Sequence, residues 1–485
     1  MTPRLDIAPS PVPLENFAAH FDPLFSRRNQ RDSFRRYLEG LLLAQERNKT
    51  LTALANVEPV VGALYASVQT LQWFLSESCW QASAINAIRK KLLLENPQTA
   101  PTPQGALVID ETGDRKDGKK TAHVGRQYLG SVGKVDNGVV SVTSLYADER
   151  LYYPLEVEPY TPAHWFNKGN KDAAFRTKPQ IALELIEREV AAGIRFKAVV
   201  ADSFYGENDT FVSGLAQQEG GPLGFVLALP RSHCWWHREG EVGSLLEAAQ
   251  HAGWQSVEQP GPWERVVRTF TDGHTEQWWA LEVKVGPYGQ GKSFRAVVAS
   301  TDPALLPEAS TWFLVTNLPL ADADLSEVVR LYGLRTWVEQ SYKQVKQALG
   351  WAQYQVRSDV AIRRHWTLVM CAFCFVLQFG VAPNEAIVPN ELPPWEESET
   401  LVESETLVES EPAGRKKRST CLRSPRCGSR ICWPVALRLV RSWLEPWLLL
   451  DRLWKAWSDL APPDALVVLL ENLRLGRGLY LYASF

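Results

Sequence analysis

The 485-residue sequence predicts an α/β protein whose core is interrupted by a β-rich insertion and flanked by N-terminal and C-terminal helical regions. Three observations carry this reading. Apolar residues recur at helical spacing up to about residue 98. From about residue 105 the pattern changes to apolar runs of strand length, at first in succession and then alternating with amphipathic helices. Between residues 231 and 310 that alternation is broken by a tryptophan- and glycine-rich stretch with β-type runs. The chain therefore divides into a helical region (1–98), a first core part (99–230), the insertion (231–310) and a second core part (311–381). An acidic repeat with a basic linker (382–432) and a C-terminal helical region (433–485) complete it.

Within the N-terminal region, Arg27, Arg28, Arg31, Arg35 and Arg36 fall within ten residues, beside the apolar Phe34, Leu38, Leu41 and Leu42. A helix with an arginine-rich face can cross a DNA backbone, and a solvated helix face is the plainer alternative. In the core, ALVIDET reads as a buried strand ending on Asp110, followed by a hairpin around Asn137–Gly138 and a further strand at YYPLEVEPY. KPQIALELIEREVAAGI is an amphipathic helix, FKAVVADSFYG a strand ending on Asp202, ENDTFVSGLAQQ a helix and GFVLALP a strand. WERVVRTF and WWALEVKVG supply β-type runs to the insertion, and TWFLVTNLP returns to the core. The tail LRLVRSWLEPWLLLDRLWKAW is an amphipathic helix with exposed aromatics, a type that packs on its own domain or a partner subunit more often than on a membrane.

Composition narrows the class. Apolar residues make up 45% of the chain, enough for a large core, and 19 tryptophans imply that many are buried. No run reaches the roughly 20 uninterrupted apolar residues of a spanning helix, and the Pro-rich N-terminus has no secretory pattern, so a soluble intracellular protein is expected. Seven scattered cysteines do not form a disulfide framework. Cys371 and Cys374 form a C-x-x-C inside an apolar run, where buried helix positions are expected. Cys421, Cys427 and Cys432 lie in or beside a basic stretch without a nearby histidine, and His233, Cys234 and His237 have ligand-like spacing but no clear further partner. The net charge of −3 conceals an uneven distribution. Residues 391–411 hold eight glutamates, with SETLVE repeated in tandem, and GRKKRSTCLRSPRCGSR follows with seven cations and no acid. Without the acidic segment the chain is net basic, and a polyanion reads distribution rather than sum.

The densest chemical signal is YGLRTWVEQSYKQVK. Tyr332, Arg335, Glu339 and Lys346 stand at steps of three, four and seven, so they are expected on one face of one helix. A carboxylate between phosphate-seeking cations and a stacking ring suits a metal-dependent phosphodiester site. Asp110 and Asp202 each stand at the expected end of an apolar strand, and hard divalent ions prefer such carboxylates. Glu111, Asp114 and Asp117 compete for the first position. Asp110 is favoured because it ends the apolar run, whereas Asp114 and Asp117 fall in the polar TGDRKDGKK.

The Tyr-x2-Arg-x3-Glu-x6-Lys pattern resembles, without a gap, the signature of bacterial insertion-sequence transposases of the DDE type. LVIDETGDRKDGKKTAHVGRQYLGSVGKVDNGVVSV and VVADSFYGENDTF resemble the two aspartate blocks of the insertion sequence seven-oh-one branch, the DDE superfamily endonucleases. LQWFLSESCWQASAI resembles that branch's N-terminal helical block, and the resemblance spans about residues 17–380. It implies an RNase H-like catalytic core with Asp110, Asp202 and Glu339 as catalytic metal-binding triad for two Mg2+ or Mn2+ ions. Tyr332, Arg335 and Lys346 match positions that grip DNA near the transposon end, with Trp312 a candidate aromatic shelf for a flipped base, although a core role suits it better. The implied partners are double-stranded DNA at transposon ends and target, bound by a homodimer in a synaptic complex, with no membrane. The implied location is the bacterial cytoplasm, at the nucleoid when active. The implied reaction is cut-and-paste strand cleavage and strand transfer. Competing readings are a catalytically silent DNA-binding regulator and a nuclease for structured RNA or hybrids on the same fold.

Overall fold

A computed structural model of the chain describes residues 10–44, 47–57, 64–217, 221–238, 241–269, 275–283, 294–382, 432–457 and 462–478. The acidic repeat, the basic stretch, Cys421 and Cys427 lie outside these residues. The N-terminal region forms α1 (Val12–Ala19), α2 (Arg28–Leu42), α3 (Leu51–Leu54), α4 (Ala66–Ser76) and α5 (Ala82–Glu95). Strands β1 (Ala106–Arg115), β2 (Gly125–Leu129), β3 (Lys134–Ala147) and β4 (Tyr152–Pro159) follow. Next come α6 (Lys178–Ala191), β5 (Ala198–Ala201), α7 (Ser203–Gly206), α8 (Asp209–Ala216) and β6 (Phe225–Ala228). The chain continues through β7 (Cys234–Arg238), β8 (Glu241–Ser244), α9 (Leu245–Gln250), β9 (Glu264–Thr269), β10 (Thr275–Val283), β11 (Arg295–Ser300) and β12 (Thr311–Thr316). It closes with α10 (Leu325–Gly333), α11 (Thr336–Lys343), a π-helical turn (Gln344–Ala348), α12 (Asp359–Val381), α13 (Trp433–Trp457) and α14 (Asp464–Arg474).

The expected mixed α/β core is present. β1 pairs antiparallel with β3, and β3 with β4, while β1, β5 and β6 run parallel to one another. β12 then joins β6 antiparallel, and β11, β10 and β9 extend the same sheet beyond it. Three strands of the segment expected as an insertion are thus hydrogen-bonded into the main sheet, while β7 and β8 pair separately. Strand alternation sorts the side chains. Leu107 and Ile109 of β1 and Val199 and Ala201 of β5 pack with α6 and α12. Ala106 and Val108 of β1 and Val200 of β5 face the other way, onto Val328, Val329 and Leu331 of α10 and Val338 of α11.

Polar side chains cap the helix starts. Thr177 and Gln180 form a capping box at α6, Asp324 accepts from Glu327 N at α10, and Ser358 accepts from Ala361 N at α12. α12 is long and apolar enough, by length and composition, to cross a membrane, yet 89% of its apolar window is buried. α2, α4, α5, α13 and β4 surround it, and Cys371 and Cys374 are fully buried in its interior, as expected of that pair. The tail helix α13 differs from expectation: Trp433, Trp443 and Trp447 are buried, Trp433 stacking on Phe373 at 4.9 Å.

Two local expectations are corrected. β1 does not end on Asp110 but continues to Arg115, so Asp110 lies inside the strand and Asp114 is a buried strand residue rather than a turn residue. Asn137–Gly138 is not a hairpin turn. It lies within β3, and the chain reverses at residues 130–133, where Gly133 has φ 70°. Glycine is needed at 138 for close approach instead, since a Cβ there would stand 2.6 Å from Asp114 O.

Buried ion pairs tie helices to the sheet. Glu158 of β4, its side chain 5% exposed, accepts from Arg363 of α12 at 2.8 Å through both oxygens and from Arg176 at 2.7 Å. Burial alone would push this carboxyl up, but Arg363 and Arg176 hold it down at about 2. Replacing Arg363→Met should cost about 3 kcal/mol of unfolding free energy at neutral pH, measured by urea denaturation. Because the folded carboxyl titrates below its unfolded value, its contribution is complete above about pH 4.5 and is lost as pH falls through about 2. The stability gap between the parent and Glu158→Gln should therefore narrow toward pH 2; a gap independent of pH would remove the ion pair from the account.

Candidate active site

Strand alternation places the first acid. Asp110 shares the parity of Ala106 and Val108, so its side chain leaves β1 on the α10–α11 face, whereas Glu111 leaves on the other and pairs with Lys178 at 2.7 Å. The parallel pairing of β1 and β5 matches Val108 with Val200. Asp202, two residues on and directly after β5, therefore reaches the same face level with Asp110. It also caps α7 by accepting from Phe204 N at 3.1 Å.

Arg335 closes the group from above. Its Nη2 lies 3.2 Å from Asp110 Oδ2 and 3.7 Å from Asp202 Oδ2. Asp110 is 7% exposed, and burial pushes its carboxyl up to about 6, opposed by the Arg335 charge and reinforced by that of Asp202. Glu339 lies one turn further along and is exposed, near enough for its charge to act on Arg335 and Tyr332. The four signature residues do not share one regular helix, which corrects the single-helix expectation. Tyr332 belongs to α10, Arg335 to the junction, Glu339 to α11 and Lys346 to the π-turn. The break falls after Gly333, where a Cβ would stand 2.9 Å from Arg268 Nη2 and where helix propensity is lowest apart from proline.

The π-turn aims Lys346 at β1, where its Nζ meets Asp114 Oδ1 at 2.8 Å and Gly113 O at 3.0 Å. Tyr332 packs edge-on against Trp312 at 4.9 Å, and Trp312 lies 4.3 Å from Trp278 beneath the guanidinium of Arg268. Trp312 is thus part of an aromatic stack under the α10 end. The N-terminal arginines divide. Arg27, Arg28 and Arg36 are exposed and Arg31 is half-buried. Arg35 is buried and fully engaged by Glu15 at 2.6 Å and Asp22 at 2.7 Å, which corrects its assignment to a DNA-facing surface. His233 lies beside Glu207, and the side chain of His237 falls outside the described residues.

Sequence reasoning missed Tyr342. It is half-buried, and its hydroxyl is 2.5 Å from Thr143 Oγ1, on the β3 residue paired with Asp110. It pins α11 to the sheet one turn beyond Glu339. Helical spacing from Glu339 could have flagged it, but an unpaired tyrosine carries no sign of its strand partner.

A family model described as DDE superfamily endonuclease matches residues 20–281, a span that holds Asp110 and Asp202 and stops short of Glu339. The chain belongs to the DDE superfamily endonucleases. It is also 32% identical over 350 residues to the probable transposase for insertion sequence element IS701 of Microchaete diplosiphon, covering 72% of this chain and 83% of that protein. DDE superfamily endonucleases use divalent metal ions. The donors fit such an ion: two carboxylates, one largely desolvated, converge on a single cationic nitrogen. Among the described residues no three acid, histidine or cysteine side chains form a metal cluster, because Glu339 stays at the surface and Arg335 fills the position between the aspartates. In this endonuclease Arg335 therefore supplies counter-charge to both carboxylates. Arg335→Gln should lower the unfolding free energy of chelator-treated protein by about 2 kcal/mol, with partial recovery in Arg335→Lys. Unfolding of the glutamine variant alongside the parent would show that the guanidinium does not hold the pair together.

Proposed function

We propose that this endonuclease is the transposase of a bacterial insertion sequence, binding the element's terminal inverted repeats and carrying out strand cleavage and strand transfer by a cut-and-paste route. The observation that carries it is the level placement of Asp110 and Asp202 about Arg335 on adjacent parallel strands. The strand order β4-β3-β1-β5-β6, antiparallel then parallel, supports an RNase H-like core. The similarity to the probable IS701 transposase supports the assignment to an insertion sequence.

In this reading Asp110, Asp202 and Glu339 would hold two divalent ions of the magnesium or manganese type, which would supply activation of the attacking oxygen and charge neutralisation of the leaving one in displacement at phosphorus. The residues of the chain do the rest. Asp110 and Asp202 are fixed by strand pairing and α7 capping, and Glu339 approaches from α11, whose seat is set by Tyr342 on Thr143. Tyr332 and Arg335 border the carboxylates and orient the DNA end. Lys346 adds positive charge farther along β1, although any phosphate must compete with Asp114 for it. Arg27, Arg28 and Arg31 offer a separate phosphate-facing group at the start of α2. A homodimer would hold two ends in one synapse, acting in the cytoplasm at the nucleoid.

The test is incubation of the protein and its Glu339→Gln variant with labelled element-end DNA and Mg2+ or Mn2+. Strand cleavage should fall at least about 100-fold in the variant while end binding persists. Equal cleavage would sink the triad. Binding without cleavage in the parent would favour a silent regulator.

A further inference from the structure

Beyond Asp114 and Lys346, β1 leads into the loop 116–124, and this loop is fastened to two distant segments. His123, buried and in the left-handed region at φ 67°, bonds through Nδ1 to Thr161 Oγ1 and through Nε2 to Asp359 Oδ1, both at 2.7 Å. Ala122 N donates to Arg357 O at 2.9 Å, and Trp165 Nε1 donates to Val124 O at 2.8 Å. Lys116 bridges back toward the site, its Nζ 2.9 Å from Ala352 O and 3.4 Å above the Tyr354 ring. The three segments thus form one fixed surface rather than three independent loops.

That surface is basic. Lys119, Lys120 and Arg126 come from the first segment and its strand, Lys168 and Lys171 from the second, and Arg357 from the third; all six are exposed. None of them has an ion-pair partner among the described residues. The neighbouring acids are engaged elsewhere: Asp117 and Asp136 face Arg115, and Asp359 is taken by His123 and Arg363. Asp172 accepts from the backbone of Lys168 and Ala174. Holding six like charges together with no acid paired to them disfavours the isolated protein, and a polyanion relieves it. Trp165, 42% exposed and anchored by its indole N–H, adds a flat apolar face among them.

We infer that this surface, built around His123, carries the double-stranded DNA backbone leading into the carboxylate site, independently of the α2 arginines. The inference rests on the reading of the protein as a DNA-cutting transposase and adds where the duplex runs. Each phosphate neutralised contributes about −0.9 to the slope of log binding constant against log salt. The fourfold variant Lys119→Gln, Lys120→Gln, Lys168→Gln, Lys171→Gln should therefore flatten that slope by about 3.6 for a labelled duplex, with a normal melting temperature. Lys91→Gln, an exposed cation on α5, is the control and should leave it unchanged. If the fourfold variant melts early, the pair Lys119→Gln, Lys120→Gln carries the test with a flattening of about 2. An unchanged slope overturns the inference, and if the parent still cleaves end DNA the transposase reading stands without it. A flattened slope in a protein whose parent never cleaves supports the surface and removes the transposase reading.

Discussion

The parallel pairing of β1 with β5 is the constraint on which the site depends. Matching Val108 with Val200 brings Asp110 and Asp202 level two residues later, and the strand period of two turns both toward the same face. On β1, in the interior of the sheet, burial pushes the Asp110 carboxyl up, and the neighbouring charge of Asp202 adds to it. The arrangement persists only with positive charge between them. Arg335 supplies it from the α10–α11 junction, so the position of that junction is dictated by the sheet as much as by its own helical preference.

The same logic repeats along β1. Asp114, four residues on and of the same parity, is buried and met by Lys346. The two cations of the signature therefore both rest on carboxylates of the strand they cover, but they are not equally held. Lys346 sits at 2.8 Å from an acid 2% exposed, and pulling it away would strand a buried charge. Arg335 spans longer contacts at 3.2 and 3.7 Å with Asp202 a third exposed. Arg335 is thus the cation with more freedom to answer to a phosphate, and Lys346 the one that fixes the π-turn.

Much of this was legible in the sequence, and the failures have physical causes. Apolar runs located the core strands and helices because burial follows a local pattern. Asp202 was found at a strand end because β5 does stop there. Asp110 was favoured on a strand end that does not exist; polar residues after it read as a turn, yet Asp114 is paid for by Lys346, a partner far away in the chain. Asn137–Gly138 misled for a related reason, since its glycine answers to the backbone of the neighbouring strand rather than to a turn. Arg35 looked like its exposed neighbours because nothing local announces that Glu15 and Asp22 will enclose it.

Long-range partners also explain α12, whose composition alone suits a membrane as well as a protein interior. An isolated helix apolar on every side has no face to give to water. Here every side is occupied: α2, α4 and α5 cover it from the N-terminal region, β4 holds it through Glu158 and Arg363, and α13 closes the remainder. The closure is specific, with Trp433 Nε1 donating to Phe373 O and Arg441 of α13 donating to Leu42 O at the end of α2. Helix α13, beyond the region of family resemblance, therefore has a structural part. By completing the cover over α12 it steadies the helix that, through Arg363 and Glu158, holds the β4 edge of the sheet bearing Asp110.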